Sequence, residues 1–106
     1  MADADLLFEV RTPLGVSVRV TRARWELITT LKHPAMSGHE SIVRLALEQP
    51  DEVRQSRSDA EVLLFYRAEG TRRWVCAVAR QAGARAFLVT AYPTDAIKEG
   101  TRIWPR

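Results

Sequence analysis

The most constraining feature of the chain is the run from Val53 to Tyr92, where short β-patterned stretches follow one another almost without interruption. Val53 opens a short strand that carries Arg54 and Ser56. Residues 61–68 are rich in valine, leucine, phenylalanine and tyrosine. After a turn at Glu69-Gly70, residues 73–80 place Trp74, Cys76 and Val78 on one face. A second turn covers 81–84. Residues 85–92 then put Phe87, Val89 and Ala91 on one face and Leu88, Thr90 and Tyr92 on the other. Alternation with a period of two marks strands. Connections this short join antiparallel neighbours.

The N-terminal half has a different rhythm. Phe8 and Val10 alternate with polar residues, Thr12-Pro13-Leu14-Gly15 reads as a turn, and Val16, Val18 and Val20 alternate again, so a hairpin is expected. Thr21 is placed to cap a helix over about 22–32, with an apolar stripe of Trp25, Leu27, Ile28 and Leu31. Pro34 ends it, because the residue before a proline avoids helical angles. Ser37 and Glu40 have capping-box spacing. A second helix then runs to about Gln49 with Ile42, Leu45 and Ala46 on its buried side, and Pro50 stops it. Beyond the last long strand, 94–98 reads as one helical turn closed by Gly100. Ile103 and Trp104 add a short strand or dock onto the sheet. The fold class is α+β: an N-terminal β-hairpin, two α-helices, then an antiparallel β-sheet meander with the helices on one face. With no repeat, low-complexity tract or linker, the 106 residues read as a single domain.

Composition supports a packed core. Hydrophobic residues are 46% and charged residues 27% of the chain, which argues against bulk disorder. The net charge is +3, and of 16 basic side chains only Lys32 and Lys98 are lysines, leaving 14 arginines. The planar arginine fork suits phosphate, although codon usage in a GC-rich genome yields the same skew. This charge permits RNA binding without demanding it. No apolar run approaches the roughly 20 residues of a membrane span. The acidic start, Met1-Ala2-Asp3-Ala4-Asp5, does not read as a secretory signal. Cys76 is the only cysteine, so no intrachain disulfide or cysteine-based zinc site is expected. His33 and His39 are too few for a histidine cluster. The expectation is a cytoplasmic protein with no metal and no cofactor.

Two constellations bear on chemistry. His33 falls at the C-terminal end of the first helix, where the helix dipole favours an imidazolium. It is placed either as a general acid or base or as a cap for orphan carbonyls. His39 reads as a surface residue. The second constellation is Thr90, Tyr92, Thr94, Asp95 and Lys98, where Pro93 turns the chain and Lys98 returns a few residues later. A hydroxyl, a phenol and an ammonium at one strand end match the needs of RNA cleavage. One group deprotonates the ribose 2′-hydroxyl, one stabilises the phosphorane, and one protonates the leaving 5′-oxygen. Arg54 and Arg57 add a positive field. A capped turn with Tyr92 packed and Lys98 solvated is the structural alternative. The acids Asp51, Glu52, Asp59, Glu61 and Glu99 fall in turns or at element ends, where solvated carboxylates are expected. The five glycines are too scattered for a phosphate loop.

The ordered pieces "TPLGVSVRVT", "RWELI", "KHP", "PDEVRQS" and "TAYPTDAIKEG" resemble a small bacterial and phage family of the barnase–EndoU–colicin–RelE-like (BECR) nuclease superfamily, over about Thr12 to Trp104. The resemblance implies two helices followed by an antiparallel sheet, a BECR or RelE-like arrangement. It also implies a metal-independent ribonuclease, toxin-like or phage-derived, with RNA as partner and an antitoxin or immunity protein as a further one. By position, His33 is the helix-end histidine, Arg54 and Ser56 belong to the first-strand motif, and Thr90, Tyr92 and Lys98 to the last-strand motif. In this reading His33, Thr90, Tyr92 and Lys98 are catalytic, and Arg54, Ser56 and Arg57 bind phosphate. The chain departs from the pattern at Leu27, where a histidine is frequent, and at Ala35, where glutamate often follows "HP". These departures motivate the alternative of a catalytically inactive RNA- or protein-binding module on the same fold.

Overall fold

The computed structural model describes residues 5–106, so the acidic stretch 1–5 lies outside the described residues except for Asp5. Strands β1 (Leu6–Arg11) and β2 (Ser17–Thr21) form the expected antiparallel hairpin. Its turn is held by the Thr12 amide donating to Val16 at 2.9 Å and by Gly15 at φ +81°. That angle suits glycine because no Cβ clashes there.

Helix α1 (Arg22–Leu27) starts as expected, with the Thr21 hydroxyl accepting from the Arg24 amide at 3.1 Å. It does not continue as an α-helix to residue 32. Residues Ile28–Lys32 form a π-helical turn, in which the His33 amide donates to the Ile28 carbonyl at 2.7 Å. The adjacent threonines explain the change. The Thr29 hydroxyl donates to the Trp25 carbonyl at 3.0 Å and the Thr30 hydroxyl to the Glu26 carbonyl at 2.6 Å. Such back-bonding competes with the helical ladder. The wider turn breaks the expected stripe. Trp25 and Ile28 are buried, but Leu31 is 75% exposed.

A 3-10 turn, Pro34–Met36, follows and buries Met36. It takes up the Ser37 amide, which donates to Pro34, and Gly38 then adopts φ +80°. Helix α2 (Glu40–Glu48) therefore begins with His39 at its cap and Glu40 as its first residue. The Ser37–Glu40 capping box does not form, because Glu40 sits two positions too early in the helix to reach back. The buried face is Val43, Ala46 and Leu47 rather than Ile42, Leu45 and Ala46.

The remaining strands are β3 (Glu52–Gln55), β4 (Val62–Ala68), β5 (Trp74–Ala82), β6 (Arg85–Thr94) and β7 (Thr101–Trp104). No helical turn forms over 94–98. Strand β6 runs on to Thr94, whose hydroxyl donates to the Ala96 carbonyl at 3.0 Å and so turns the chain locally. The seven-stranded sheet has the order β1-β2-β6-β5-β4-β3-β7, so the fold is α+β with a mostly antiparallel sheet. Two joints depart from a plain meander. Strand β2 pairs parallel with β6, through Ser17, Val18 and Arg19 opposite Arg85, Ala86 and Phe87. Strand β7 returns to the far edge beside β3.

The main core lies between the helices and one sheet face. It includes Val18, Val20, Ile28, Val43, Leu47, Phe65, Ala77 and Ala91. At about 1.5–3 kcal/mol for each large apolar side chain fully buried, this layer anchors the fold. The opposite face carries a smaller cluster of Leu64, Tyr66, Cys76 and Val78, partly roofed by Ile97 of the segment after β6. Among the described residues, no helix is long and apolar enough to cross a membrane.

Candidate functional site

A β-bulge builds the site. Val78 of β5 faces Thr90 of β6, while the next residue, Ala79, faces Leu88, so Val89 is extra. A bulge resets the alternation of the strand that carries it. Leu88 consequently joins the helix-covered core, whereas Thr90 and Tyr92 share the opposite face with Val78 and Cys76. The expectation that Leu88 lies on the same side as Thr90 and Tyr92 is overturned for this reason.

The open side of β6 admits the histidine. Strand β2 covers only Arg85, Ala86 and Phe87 of β6, and the π-helical and 3-10 turns pack against β6 as well. The His33 ring lies with its centroid 5.6 Å from that of Tyr92, tilted by 41°. His33 is half-buried at the joint between the two turns, with φ −140° and ψ 77°.

Together these residues edge a cavity of about 380 Å³. Its polar lining is His33, Ser56, Thr90, Tyr92 and Glu99, and its apolar lining is Val62, Leu64 and Val78. The Thr90 hydroxyl oxygen is buried and has no hydrogen-bond partner, the single such side-chain atom among the described residues. A buried polar atom left unpaired costs about 1–3 kcal/mol. The Ser56 hydroxyl lies 3.2 Å from that of Ser58 in the loop after β3.

Beneath Tyr92 lie Tyr66 and Cys76, both nearly inaccessible. Burial pushes the Tyr66 phenol and the Cys76 thiol each up to about 12 and drives the Tyr92 phenol further up still. A charge on Cys76 would raise both phenols further, whereas the hydrogen bonds of Tyr92 and Tyr66 pull the Cys76 thiol part of the way back down. At neutral pH all three keep their protons. Tyr92 is therefore not a base, and its phenol is hydrogen-bonded with Tyr66 and Cys76 at the floor of the cavity.

The segment after β6 is docked by Gly100. Its φ is +80°, and an added Cβ would come 2.6 Å from the Gln55 carbonyl oxygen and 3.1 Å from both Arg54 and Leu64. The Arg54 guanidinium donates to the Gly100 carbonyl at 3.1 Å and to Glu52 at 2.6 Å. This close approach holds Glu99 at the cavity.

Of the residues expected from sequence, His33, Thr90, Tyr92 and Ser56 come together. Arg54 stands beside the cavity and braces Gly100. Lys98 and Arg57 are exposed and do not line it, so the ammonium expected to converge with Thr90 and Tyr92 does not. The strand continuing to Thr94 replaces the helical turn that would have brought Lys98 back. Glu99 is exposed, as expected of a solvated carboxylate, but it also lines the cavity, a role the sequence reading did not give it. Its signal was its place next to Gly100 in "TAYPTDAIKEG". Leu27 instead edges a separate hollow with Thr21, Ala23 and Arg24, and Ala35 is exposed. Among the described residues, no group of three or more His, Cys, Asp or Glu is placed to hold a metal ion. No protein-family model, curated protein or solved structure matches the chain.

Proposed function

We propose that the protein is an endoribonuclease that cleaves RNA by the acid–base chemistry of its own side chains. The observation that carries this reading is the meeting of an imidazole, a carboxylate and two hydroxyl donors, His33, Glu99, Thr90 and Tyr92, around one cavity. In the reaction, the ribose 2′-oxygen attacks the adjacent phosphorus. Its proton passes to the Glu99 carboxylate. The bond to the 5′-oxygen breaks, and that oxygen takes a proton from the His33 imidazolium. The products are a 2′,3′-cyclic phosphate and a free 5′-hydroxyl. Tyr92, held protonated, and the unpartnered Thr90 hydroxyl donate to the phosphoryl oxygens as charge builds there. The departures at Leu27 and Ala35 fall outside the cavity lining, so they remove no group from this scheme.

The test is cleavage of end-labelled tRNA and mRNA by purified protein in a chelator. Wild type yields fragments with 2′,3′-cyclic ends. His33→Ala and Glu99→Gln each lower the rate by about 10²-fold or more, and Thr90→Val lowers it by about tenfold or more. Lys98→Ala stays within a few-fold of wild type. No cleavage by wild type, or cleavage unchanged by His33→Ala, overturns the reading.

One observation favours a second reading, the inactive RNA- or protein-binding module: no arginine or lysine lines the cavity. That reading predicts binding that survives His33→Ala and no cyclic-phosphate product from any variant.

A further inference from the structure

A cleavage cavity without a lysine or arginine must draw its phosphate-binding charge from its surroundings. The sheet register locates that charge. Arg102 of β7 faces Arg54 of β3, which faces Leu64 of β4, which faces Val78 of β5, which faces Thr90 of β6. Residues directly opposite one another project to the same side of a sheet, so the five form one row. Leu64, Val78 and Thr90 line the cavity. Arg54 and Arg102 continue the row outward to the sheet edge, at about 4.8 Å per strand.

Two like charges directly opposite one another destabilise a strand pair. The two arginines differ in how they are occupied. Arg54 is held by Glu52 and the Gly100 carbonyl. Arg102 is exposed, and no described residue accepts a hydrogen bond from its side chain or pairs with its charge. A rigid guanidinium beside an uncommitted one, on the cavity's own face, is an arrangement that an anion relieves. Bidentate recognition of phosphate is what the arginine fork does best.

We propose that Arg102, supported by Arg54, forms a phosphate track on the β3–β7 edge that holds the single-stranded RNA flanking the nucleotide in the cavity. This rests on the cavity being the RNA-cleaving site. The track accounts for the bare cavity: the attraction lies along the flanking backbone, while the cavity keeps its uncharged donors for the reacting phosphate. Longer RNA then binds better than a dinucleotide, and the difference is salt-dependent.

The experiment measures binding of a fluorescein-labelled twelve-nucleotide RNA by anisotropy across a salt series, in the His33→Ala background. Arg102→Ala weakens binding about three- to tenfold at low salt and lowers the slope of log K against log salt by about 0.7. Arg102→Lys keeps the slope, and Arg102→Glu weakens binding further. Arg44→Ala removes the same charge from helix α2, on the opposite face, and leaves the slope unchanged. In an otherwise wild-type chain, Arg102→Ala raises KM for long RNA and spares dinucleotide turnover. If Arg102→Ala behaves like Arg44→Ala while wild type cleaves RNA, the track is wrong and the cleavage reading stands. If the slope depends on Arg102 but wild type never cleaves, the track stands and cleavage falls. If RNA does not bind and an acidic protein does, the track is overturned.

Discussion

Cys76 and Tyr66 show how burial sets chemistry at single residues. Both sit on the sheet face opposite the helices, beneath Tyr92, and both hold their protons to about pH 12. The main cause is desolvation, which penalises the thiolate and the phenolate. Because the folded chain binds these protons more tightly than the unfolded chain does, stability is undiminished below the unfolded values, near 9 for the thiol and 10 for the phenol. It falls as pH rises from there toward about 12, since the unfolded state loses protons first. Urea denaturation between pH 8 and 12 measures this. The unfolding free energy declines across that window, and Cys76→Ala and Tyr66→Phe each make the decline shallower. A decline of the same steepness in both variants would assign it to other groups. The same burial makes Cys76 inert toward thiol reagents in the folded chain, as its hydrophobic surroundings in the sequence already suggest.

At the scale of elements, the sequence was legible where local chemistry decides and opaque where two local preferences compete. The hairpin turn at Thr12–Gly15, the Thr21 cap and the strands from β3 to β6 follow from alternation and turn residues. The π-helical turn does not, because Thr29 and Thr30 look like ordinary helix positions until their hydroxyls bond back to the preceding turn. The bulge at Val89 is equally silent, yet it decides that Thr90 and Tyr92, and not Leu88, face the cavity. The site residues were readable as types; their meeting depends on these two irregularities. The segment after β6 depends on one glycine. Gly100→Ala adds a Cβ 2.6 Å from the Gln55 carbonyl at a φ of +80°. Backbone cannot yield as a flexible side chain does, so the variant loses about 2–3 kcal/mol in chemical denaturation. It also undocks Glu99, so the proposed RNA cleavage is expected to fall even at temperatures where the variant is fully folded. Normal stability in Gly100→Ala would show that the segment is free to lift from the sheet.

At the scale of the whole molecule, the strand order was the least legible property. Alternation identifies a strand but not its neighbour, and the two joints that close the sheet link distant parts of the chain. Ser17 lies opposite Arg85, and Arg54 opposite Arg102. The hydrophobic pattern of β2 would satisfy an edge position equally well; its parallel pairing with β6 is forced only once both helices must cover one face. Such joints set the folding rate, because the entropy of closing a long loop is lost before its contacts form. The β3–β6 meander needs only short closures and can form early. Attachment of the β1–β2 hairpin and of β7 must wait for it. Refolding is therefore expected in milliseconds to seconds, well slower than a helical bundle of this length. Stopped-flow fluorescence of Trp25, Trp74 and Trp104 reads it, since one tryptophan reports on α1, one on β5 and one on β7. Val18→Ala, in the strand that makes the parallel joint, and Ala77→Gly, in the middle of the meander, then separate the steps. If the meander forms first, Ala77→Gly slows folding, while Val18→Ala mainly speeds unfolding. The reverse pattern, or complete refolding in microseconds, would mean that the long-range joints nucleate the fold.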